Sequence, residues 1–527
     1  NTKMAIKISG TTVIDDSRNV TNVGSVGDSN TVYYGDGSGL SGIQAGSSTF
    51  TASGAISNGK GVIINSDGTV SAVAESVSST PSVSSDNAFL SESNPNFAAA
   101  CYDTTNNKVI VVYWDSNDSG KGKAKVGTVS GSTVTFGSAV TWDSSSGWYN
   151  LGVAYDSEHE RILITGSENN SNYYGVSIVG TVSGDSITFG TKTTFASKYT
   201  LAFVRAVYDS NAQRFAIGYG RNQVGNYGWE MIIGTIADTG NSISFGGMQQ
   251  ISSGPGGFSY MNMVFDSSNN KVVMLFPRVT NSNTTNANLI GRVATVSTGG
   301  NSFSTGSEVV LDSNNNNQLT GAVFDSTNNK VISTRKTGGN SVATVGTVSG
   351  TSISFGSDVT VDTDGYNQSP TMGYDAASDK VMIFYNNGSK VISGTVSGTS
   401  ITFGNSTTYS DGTSGINQAA NAAYDPDTGQ ILYPFNDSAG SIGNMVVISN
   451  KGTNATADNF IGIAAEAISN SASGSITMVT GVNASQSSLT PGQQYYVQKD
   501  GSLSTSADSP SLLAGTAISA TKLIVKR

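Results

Sequence analysis

Seven segments of the chain share one alternation of apolar and polar positions. In each, an apolar run ends in Tyr-Asp or Phe-Asp, a short polar turn follows, and a second apolar run begins, as in ACYDTTNNKVIVVY and MVFDSSNNKVVMLF. The seven aspartates recur every 50–59 residues, at Asp103, Asp156, Asp209, Asp266, Asp325, Asp375 and Asp425. A fixed period of this length indicates a supersecondary unit that repeats along the chain.

A second hairpin completes the unit. It reads VGTVSGSTVTFG from Val126, VGTVSGDSITFG from Val179 and VGTVSGTSISFG from Val345. Strand-forming residues alternate here with turn pairs such as Ser-Gly and Asp-Ser, and no segment has a helical period. Four short strands in each of seven units predict an all-β chain built around a seven-bladed β-propeller with four-stranded blades.

The ends of the repeat array predict how the ring closes. The seventh unit has a third strand, NMVVISN from Asn444, but no fourth, whereas a spare strand-like segment begins at Ser76, before the first unit. Because a ring must cover its exposed strand edges, we expect the N-terminal segment to supply the outer strand of the seventh blade. The propeller would then span residues 76–451.

The flanking segments have other β patterns and contain no Tyr-Asp unit. We expect residues 47–75 and 452–527 to form one small, split β domain, because a domain is readily inserted where two chain ends lie close together. Residues 1–46 contain MAIKISGTTVIDD and GDGSGLSGI and indicate an extended leader for attachment or assembly.

Composition narrows the classes of partner. Charged residues make up 12% of the chain and the formal net charge is −10, which argues against nucleic acid and anionic membranes as partners. No apolar run has the length of a membrane span or, in the first thirty residues, of a secretory signal, so we expect a soluble chain. Cys101 is the only cysteine; we expect a buried strand thiol and no disulfide.

The residues that carry catalysis or metal binding are sparse. His159, the only histidine, falls in the turn of the second unit, where other units have Ser, Asn or Ala, and is interpreted as a solvated turn residue. The repeated aspartates are interpreted as caps of their own turns, because a calcium loop needs several alternating ligands and a closing Glu. We therefore expect no metal and no cofactor, with a bound cation as the alternative.

Propeller glycosidases need a carboxylate pair, or an arginine cluster with Tyr and Glu, around the central channel. The order of the candidate residues shows no such constellation, and we expect no enzymatic activity. Those residues are Arg205, Arg221, Arg278, Arg292, Arg335, Glu158, Glu168 and Glu230.

The loops that differ between units point to a binding surface. The turn after Tyr-Asp and the VSG turn lie on one face of the disc and barely change, whereas the other loops, on the opposite face, vary in length and chemistry. Aromatic rings among amides and hydroxyls suit carbohydrate, since rings cover the apolar faces of sugars. The candidates are Trp148, Tyr149, Tyr173, Tyr174, Tyr227, Trp229 and Tyr366. The alternative for each is packing between blades.

Several phrases carry a family resemblance. MAIKISGTTVIDDSRNVTNVG, GDGSGLSG, the units VGTVSGTSISFG and FDSSNNKVV, and the ending GQQYYVQKDGSLSTSADSP with AGTAISATKLIVK cover nearly the whole chain. Together they resemble tail-fibre and other virion appendage proteins of marine bacteriophages, especially phages of cyanobacteria. The resemblance implies a structural protein of the particle and brings no catalytic residues to carry over.

Taken together, the patterns predict a phage tail fibre whose propeller binds a glycan or protein of the host surface and whose other parts contact virion proteins. The expected location is the virion, and a homotrimer is one of the open assemblies. Two alternatives remain open: a decoration protein of the capsid or appendage with no receptor role, and a polysaccharide depolymerase.

Overall fold

The computed structural model describes residues 6–8, 11–14, 46–90, 95–144, 148–168, 173–197, 200–223, 226–253, 261–279, 287–313, 318–337, 340–362, 371–385, 388–410, 422–437, 442–508 and 510–526. Strands dominate these residues, and a single 3-10 turn is present at Ser116–Asp118. Within the same residues, no helix has the length and apolar character needed to cross a membrane.

The strands that precede the repeats are β1 (Ile6–Ile8), β2 (Thr11–Ile14), β3 (Ser47–Thr51), β4 (Gly61–Ile64), β5 (Val70–Ala72), β6 (Glu75–Val83) and β7 (Asn87–Leu90). Blade 1 contains β8 (Pro95–Asp103), β9 (Lys108–Asp115), β10 (Lys121–Ser130), β11 (Thr133–Phe136) and β12 (Val140–Asp143). Blade 2 contains β13 (Trp148–Asp156), β14 (Arg161–Glu168), β15 (Gly175–Ser183), β16 (Ser186–Phe189) and β17 (Thr193–Ala196). Blade 3 contains β18 (Thr200–Asp209), β19 (Arg214–Gln223), β20 (Asn226–Ile236), β21 (Ile243–Phe245) and β22 (Gln249–Ser253).

Blade 4 contains β23 (Asn262–Asp266), β24 (Lys271–Val279), β25 (Ala287–Val296), β26 (Phe303–Thr305) and β27 (Val309–Asp312). Blade 5 contains β28 (Gln318–Asp325), β29 (Lys330–Thr337), β30 (Asn340–Ser349), β31 (Ser352–Phe355) and β32 (Val359–Asp362). Blade 6 contains β33 (Thr371–Asp375), β34 (Lys380–Tyr385), β35 (Lys390–Ser397) and β36 (Ser400–Thr408). Blade 7 uses β37 (Ala423–Asp425), β38 (Gln430–Asp437) and β39 (Ile442–Thr453).

The C-terminal strands are β40 (Phe460–Ala464), β41 (Ser473–Met478), β42 (Val482–Asn483), β43 (Gln494–Val497), β44 (Leu503–Ser504), β45 (Leu512–Ser519) and β46 (Lys522–Val525).

The repeats form a β-propeller, as the sequence predicts. Each blade is an antiparallel sheet whose strands are hydrogen-bonded in chain order, β8 to β11 in blade 1 for example. The first strands, β8, β13, β18, β23, β28, β33 and β37, contact one another in this order, and β37 contacts β8. Among the described residues, the repeats therefore close into a ring of seven sheets.

The outer strand of most blades is broken. In blade 1, β11 pairs with one half of β10 and β12 pairs with the other half, so two short strands share the outer edge. Blades 2 to 5 repeat this pattern, whereas in blade 6 the single strand β36 covers both halves. The sequence predicts one outer strand per blade and misses this interruption.

The seventh blade is completed by the N-terminal side of the chain. Both β6 and β7 pair with β39, which places residues 75–90 at the outer edge of blade 7. This is the arrangement that the missing fourth strand of the seventh unit predicts, and it ties the two ends of the propeller together with backbone hydrogen bonds.

The hydrophobic core lies between the blades rather than inside one sheet. A single cluster joins Ile110 and Val126 of blade 1 to Ile164 and Ile178 of blade 2, all of them buried. Another joins Leu432 of blade 7 to blade 1 and closes the ring. Each blade thus depends on its neighbours to remove both of its apolar faces from water.

A glycine that ends the second hairpin in blades 1 to 6 lies against the backbone of the next blade. A Cβ atom at Gly246 of blade 3 would lie 1.8 Å from the backbone oxygen of Asn301, in the outer turn of blade 4. The equivalent distance is 2.0 Å at Gly137 of blade 1 and 1.8 Å at Gly404 of blade 6, where the oxygen belongs to Ser79 of β6. The glycine therefore leaves room for the backbone of the next blade.

Two further sheets lie outside the propeller; one joins the two flanks and the other is formed by the C-terminal flank alone. The first has the order β3-β41-β40-β4-β5 and so mixes strands from both ends of the chain, and the second has the order β42-β46-β45-β43-β44. Asn483 is fully buried between them; its amide donates to the Ala464 carbonyl (3.0 Å) and the Thr477 hydroxyl (3.1 Å), and its oxygen accepts from Gln486.

The adjacent glycines of blade 3 provide a test of the blade contact. We expect Gly246→Ala to lower the free energy of unfolding by about 1–3 kcal/mol, because the added methyl group must displace the backbone of blade 4. Gly247→Ala is the matched control, since nothing lies within 4 Å of its added Cβ. Thermal unfolding of both variants measures the difference, and equal midpoints would contradict this role of Gly246.

Candidate ligand-binding site

The connections between blades and those between the second and third strands of a blade lie on one face of the disc, here called the variable face. Its described parts in blades 1 and 2 include residues 116–120, Asp143, Trp148 and residues 173–174. Tyr366 lies outside the described residues, and so does the side chain of Tyr227.

Three half-buried aromatic rings meet on the variable face at the boundary of blades 1 and 2. The ring centroids of Trp114 and Tyr149 are 5.5 Å apart with planes at 87°, and those of Tyr149 and Tyr173 are 6.3 Å apart. We call Trp114, Tyr149 and Tyr173 the aromatic cluster. Trp114 lies near the end of β9 and Tyr149 near the start of β13, and Tyr173 precedes β15. Packing of blade 2 on blade 1 therefore brings Trp114 to the two tyrosines of blade 2.

The backbone of Tyr173 is in an unusual conformation. Its φ angle is +46°, in the left-handed region that bulky residues rarely occupy. Strain of this kind costs of order 1 kcal/mol and concentrates at functional sites. A tyrosine thus occupies a backbone position that would suit Asn or Gly.

Two predicted ligand residues are buried instead. Trp148 has no exposed surface, packs on Trp142 with ring centroids 4.5 Å apart, and donates its indole N–H to Asp143 Oδ2 at 2.7 Å. Trp229 is 4% exposed and donates to the Pro277 carbonyl at 2.7 Å. The prediction that these indoles meet a ligand is wrong, because burying the ring between blades removes more apolar surface from water and each N–H finds an internal acceptor.

The remaining candidate in blade 2 also packs inward. Tyr174 is partly buried against the core between blades 1 and 2, beside the aromatic cluster rather than in it. Trp114, in contrast, belongs to the cluster, although the sequence assigns it to the apolar run KVIVVYW of a strand. Trp114 is the next-to-last residue of β9, beside a polar loop, and this position is the sequence signal that could have identified it.

Ion pairs surround the aromatic cluster. Lys123 Nζ lies 2.9 Å from Asp115 and 2.7 Å from Asp118, and Lys121 lies 2.8 Å from Asp118. On the other side, Lys192 bridges Asp143 of blade 1 (3.2 Å) and Glu168 of blade 2 (2.5 Å). We call these seven charged groups the ion-paired rim. Asp143 also accepts the indole N–H of Trp148, so the rim is hydrogen-bonded to β13, the strand that carries Tyr149.

The repeated aspartates cap their turns on the opposite face. In every unit the first carboxylate oxygen accepts hydrogen bonds of 2.9–3.4 Å from the backbone amides two and three residues later. The fourth residue after the aspartate has a positive φ of 53–67° in each unit. This is the role that the sequence predicts, and no group of His, Cys, Asp or Glu among the described residues has a metal-binding arrangement.

The residue three positions after the aspartate contacts its second oxygen. Asn106 and Asn269 donate at 2.9 Å, and His159 Nδ1 lies 2.8 Å from Asp156. His159 is therefore bound within its turn and only 15% exposed, not solvated as predicted. The third unit has Ala212 at this position, and burial raises the pKa of Asp209 above its usual value.

The tyrosine of the Tyr-Asp pair joins neighbouring blades, a role that the sequence analysis misses. The hydroxyl of Tyr155 donates to Thr105 of the preceding turn at 2.8 Å, and that of Tyr374 donates to Thr327 at 2.6 Å. Tyr424 accepts a hydrogen bond from the Ala377 amide at 3.2 Å. The recurrence of Tyr beside Asp thus reflects contact between consecutive turns.

Most side chains that line the centre of the ring are apolar. A cavity of about 370 Å³ is lined by first-strand residues, among them Cys101, Met263, Phe324 and Met372, and no charged side chain lines it in the described part of the chain. Cys101 is buried, as predicted, and burial raises the pKa of its thiol. Of the two buried arginines, Arg335 is ion-paired with Asp312 (2.8 Å) and Arg205 donates to the Val204 carbonyl (3.0 Å). The partly buried Arg221 is ion-paired with Glu230 (2.6 Å).

Comparisons with known proteins do not identify a family. No family model matches the chain, and no curated protein matches it. Solved structures with similar folds include a protein from Lactobacillus plantarum, with 12% identity over 60% of this chain and 84% of that one and a TM-score of 0.45. The β-propeller domain of Swd1 from Myceliophteria thermophila has 8% identity over 68% of this chain and 99% of that one, with a TM-score of 0.41.

A soluble aldose sugar dehydrogenase from Escherichia coli is also similar, with 12% identity over 57% of this chain and 96% of that one and a TM-score of 0.36. These similarities transfer no function, and the propeller assignment here follows from the strand order and ring closure of the chain itself.

Buried Trp148 and half-buried Tyr173 should contribute differently to the free energy of unfolding. Trp148→Ala should lower the free energy of unfolding by about 3–5 kcal/mol, because it opens a cavity and leaves Asp143 without its indole donor. Tyr173→Asn should cost less than about 1 kcal/mol, since Asn tolerates the left-handed backbone. Denaturant unfolding measures both values, and a Trp148→Ala variant as stable as the parent would contradict the assignment.

The turn at Asp209 should make the free energy of unfolding depend on pH. Because the folded-state pKa of Asp209 is raised above its usual 3.8, stability is lost as pH rises through that folded-state pKa. Asp209→Asn keeps an oxygen for the two backbone amides and should raise Tm at neutral pH by about 1–3 °C but not at acidic pH. Asp103→Asn is the control, because Asn106 donates to the second oxygen of Asp103; an equal gain there would argue against burial as the cause.

Proposed function

We propose that this chain is a structural protein of a bacteriophage particle, a tail fibre whose propeller binds glycan on the host cell surface through the variable face. The aromatic cluster carries this proposal. Three half-buried rings, one of them held in a strained backbone, sit among carboxylate, ammonium and amide groups on the face whose loops differ between units. Aromatic faces with polar neighbours are the surface that sugars require.

Residues recur between units on one face of the disc and vary on the other, and this difference supports a binding role. On the turn face, the aspartate caps recur in every unit, and the hydroxyls of Tyr155, Tyr374 and Tyr424 join consecutive turns, so this face is committed to holding the ring. On the variable face, the contacts between blades are particular to each pair of blades, such as Lys192 with Asp143 and Trp229 with Pro277. Residues there differ between units, which suits a surface that adapts to a ligand.

The flanking residues fit the remaining parts of the proposal. The resemblance to virion appendage proteins rests mainly on the phrases at the two ends, GTTVIDDSRNV and GQQYYVQKDGSLST among them. We assign residues 1–46 to attachment or assembly within the particle, 47–75 and 452–527 to a carrier domain, and 76–451 to host contact. No cofactor or catalytic step is part of this function.

The proposal is tested with labelled full-length protein on cyanobacterial cells and on glycans extracted from their surface, with a parallel assay for released sugar. We expect saturable binding without release. Tyr173→Asn should weaken binding about tenfold or more while the protein stays folded, because a ring that contacts sugar is lost. Tyr155→Phe is the control, since it alters a tyrosine of the same blade on the opposite face.

Each other outcome has a definite meaning. Binding that is unchanged in Tyr173→Asn and in Trp114→Ala would remove the aromatic cluster from the proposal. Absence of binding to any cell or glycan would favour a decoration protein of the particle. Release of oligosaccharide would establish a depolymerase.

A further inference from the structure

We infer that Gly120 is a positioning residue of the aromatic cluster: its backbone covers the nitrogen edge of the Trp114 indole, so a ligand meets only the carbon surface of that ring. This inference rests on the proposed function and assigns a role within the same site. Trp114 is the next-to-last residue of β9, and Gly120 directly precedes β10, the next strand of blade 1. Gly120 is buried and Trp114 is half-buried.

The loop between β9 and β10 is closed by Asp115, which directly follows Trp114. The Asp115 carbonyl accepts the Gly120 amide at 2.9 Å, and its carboxylate accepts the Asn117 amide at 3.1 Å. Ser119 and Gly120 have φ angles of +57° and +72°. Two consecutive residues in the left-handed region make a tight turn. The loop therefore brings the Gly120 backbone back against the indole of Trp114.

The contact between Gly120 and Trp114 leaves no room for a side chain. A Cβ atom at Gly120 would lie 2.1 Å from Trp114 Nε1 and 2.7 Å from the adjoining ring carbon Cε2. The indole nitrogen is buried, so a ligand cannot accept a hydrogen bond from it. The ring also meets Tyr149 edge to face, with centroids 5.5 Å apart. Gly120 and Tyr149 together set its orientation.

A ring at the position of Trp114 is particular to blade 1. Trp114 is the eleventh residue after the repeated aspartate Asp103. The eleventh residue has no aromatic ring in the other units, where it is Ser167, Gly220, Pro277, Lys336, Asn386 or Asn436. The fold of a blade thus does not require a ring here, which favours a role for Trp114 in the site rather than in the propeller.

Fluorescence quenching reports the position of Trp114. Of the four tryptophans, Trp142, Trp148 and Trp229 are buried, so acrylamide should quench mainly the emission of half-buried Trp114. We expect the quenching constant to rise in Gly120→Ala, because the added methyl group must push the ring away from the loop. Trp114→Phe should remove most of the quenchable emission.

Gly131→Ala is the matched control for Gly120→Ala. Gly131 also belongs to blade 1 and has a positive φ of 58°, so alanine meets a similar backbone penalty there. Nothing lies within 4 Å of its added Cβ, and so no ring is displaced. We expect the quenching constant of Gly131→Ala to equal that of the parent protein.

Binding is measured with the full-length chain and glycans extracted from the surface of cyanobacterial cells. We expect Gly120→Ala to weaken binding about fivefold or more, and Gly131→Ala to stay within about twofold of the parent. Trp114→Phe should stay within about threefold, because its ring keeps a carbon surface and the lost N–H is not used. The double variant Gly120→Ala with Trp114→Phe should bind like Trp114→Phe, since the smaller ring leaves room for the methyl group.

The outcomes separate this inference from the function on which it rests. Equal quenching and equal binding in Gly120→Ala and Gly131→Ala would overturn the role of Gly120. Loss of binding in Trp114→Phe as large as that in Trp114→Ala would overturn the exclusion of the indole nitrogen. If Gly120→Ala does not fold, a folded double variant supports the contact and an unfolded one overturns it. Failure of the parent to bind any glycan would overturn the proposed function, whereas quenching would still decide whether Gly120 positions the ring.

Discussion

Closure of the ring is the constraint on which the rest of the structure depends. The sheets are apolar on both faces, and their buried residues form clusters that join neighbouring blades, as Ile110 of blade 1 joins Ile164 of blade 2. An open array would leave two apolar faces and two strand edges in water. Pairing of β6 with β39 removes the edges, and the cluster of blades 7 and 1 removes the faces.

The repeated residues serve this closure. The aspartate shapes each turn, the tyrosine reaches the preceding turn, and the glycine of the Phe-Gly pair admits the backbone of the following blade. Asn241 adds a further link, because it accepts from Thr181 (2.5 Å) and donates to the Thr188 carbonyl (3.1 Å) of the blade before it. These recurring contacts lie on one face, whereas the contacts between blades on the other face, such as Asp143 with Trp148 and Lys192, differ from blade to blade.

The candidate site shows where prediction from sequence stops. Tyr149 and Tyr173 could be found, because both flank variable polar loops. Trp148 and Tyr149 are adjacent in sequence and each contacts a tryptophan of blade 1, yet Trp148 is buried and Tyr149 is half-buried. How far each ring is covered depends on packing between sheets. Trp114 was missed for the same reason: the run that contains it is otherwise core.

The sequence by itself determined the all-β class, the period of the repeat, the capped turns and the segment that completes the last blade. These features are local, because spacing, turn chemistry and a missing strand can all be counted along the chain. Only the tertiary structure decided that the outer strands are broken, that Tyr155 joins two blades, and that Trp114, Tyr149 and Tyr173 meet. Tyr149 and Tyr173 meet through strand pairing within blade 2. The other contacts depend on the distance between different sheets, which is set by how the blades pack and not by any one repeat.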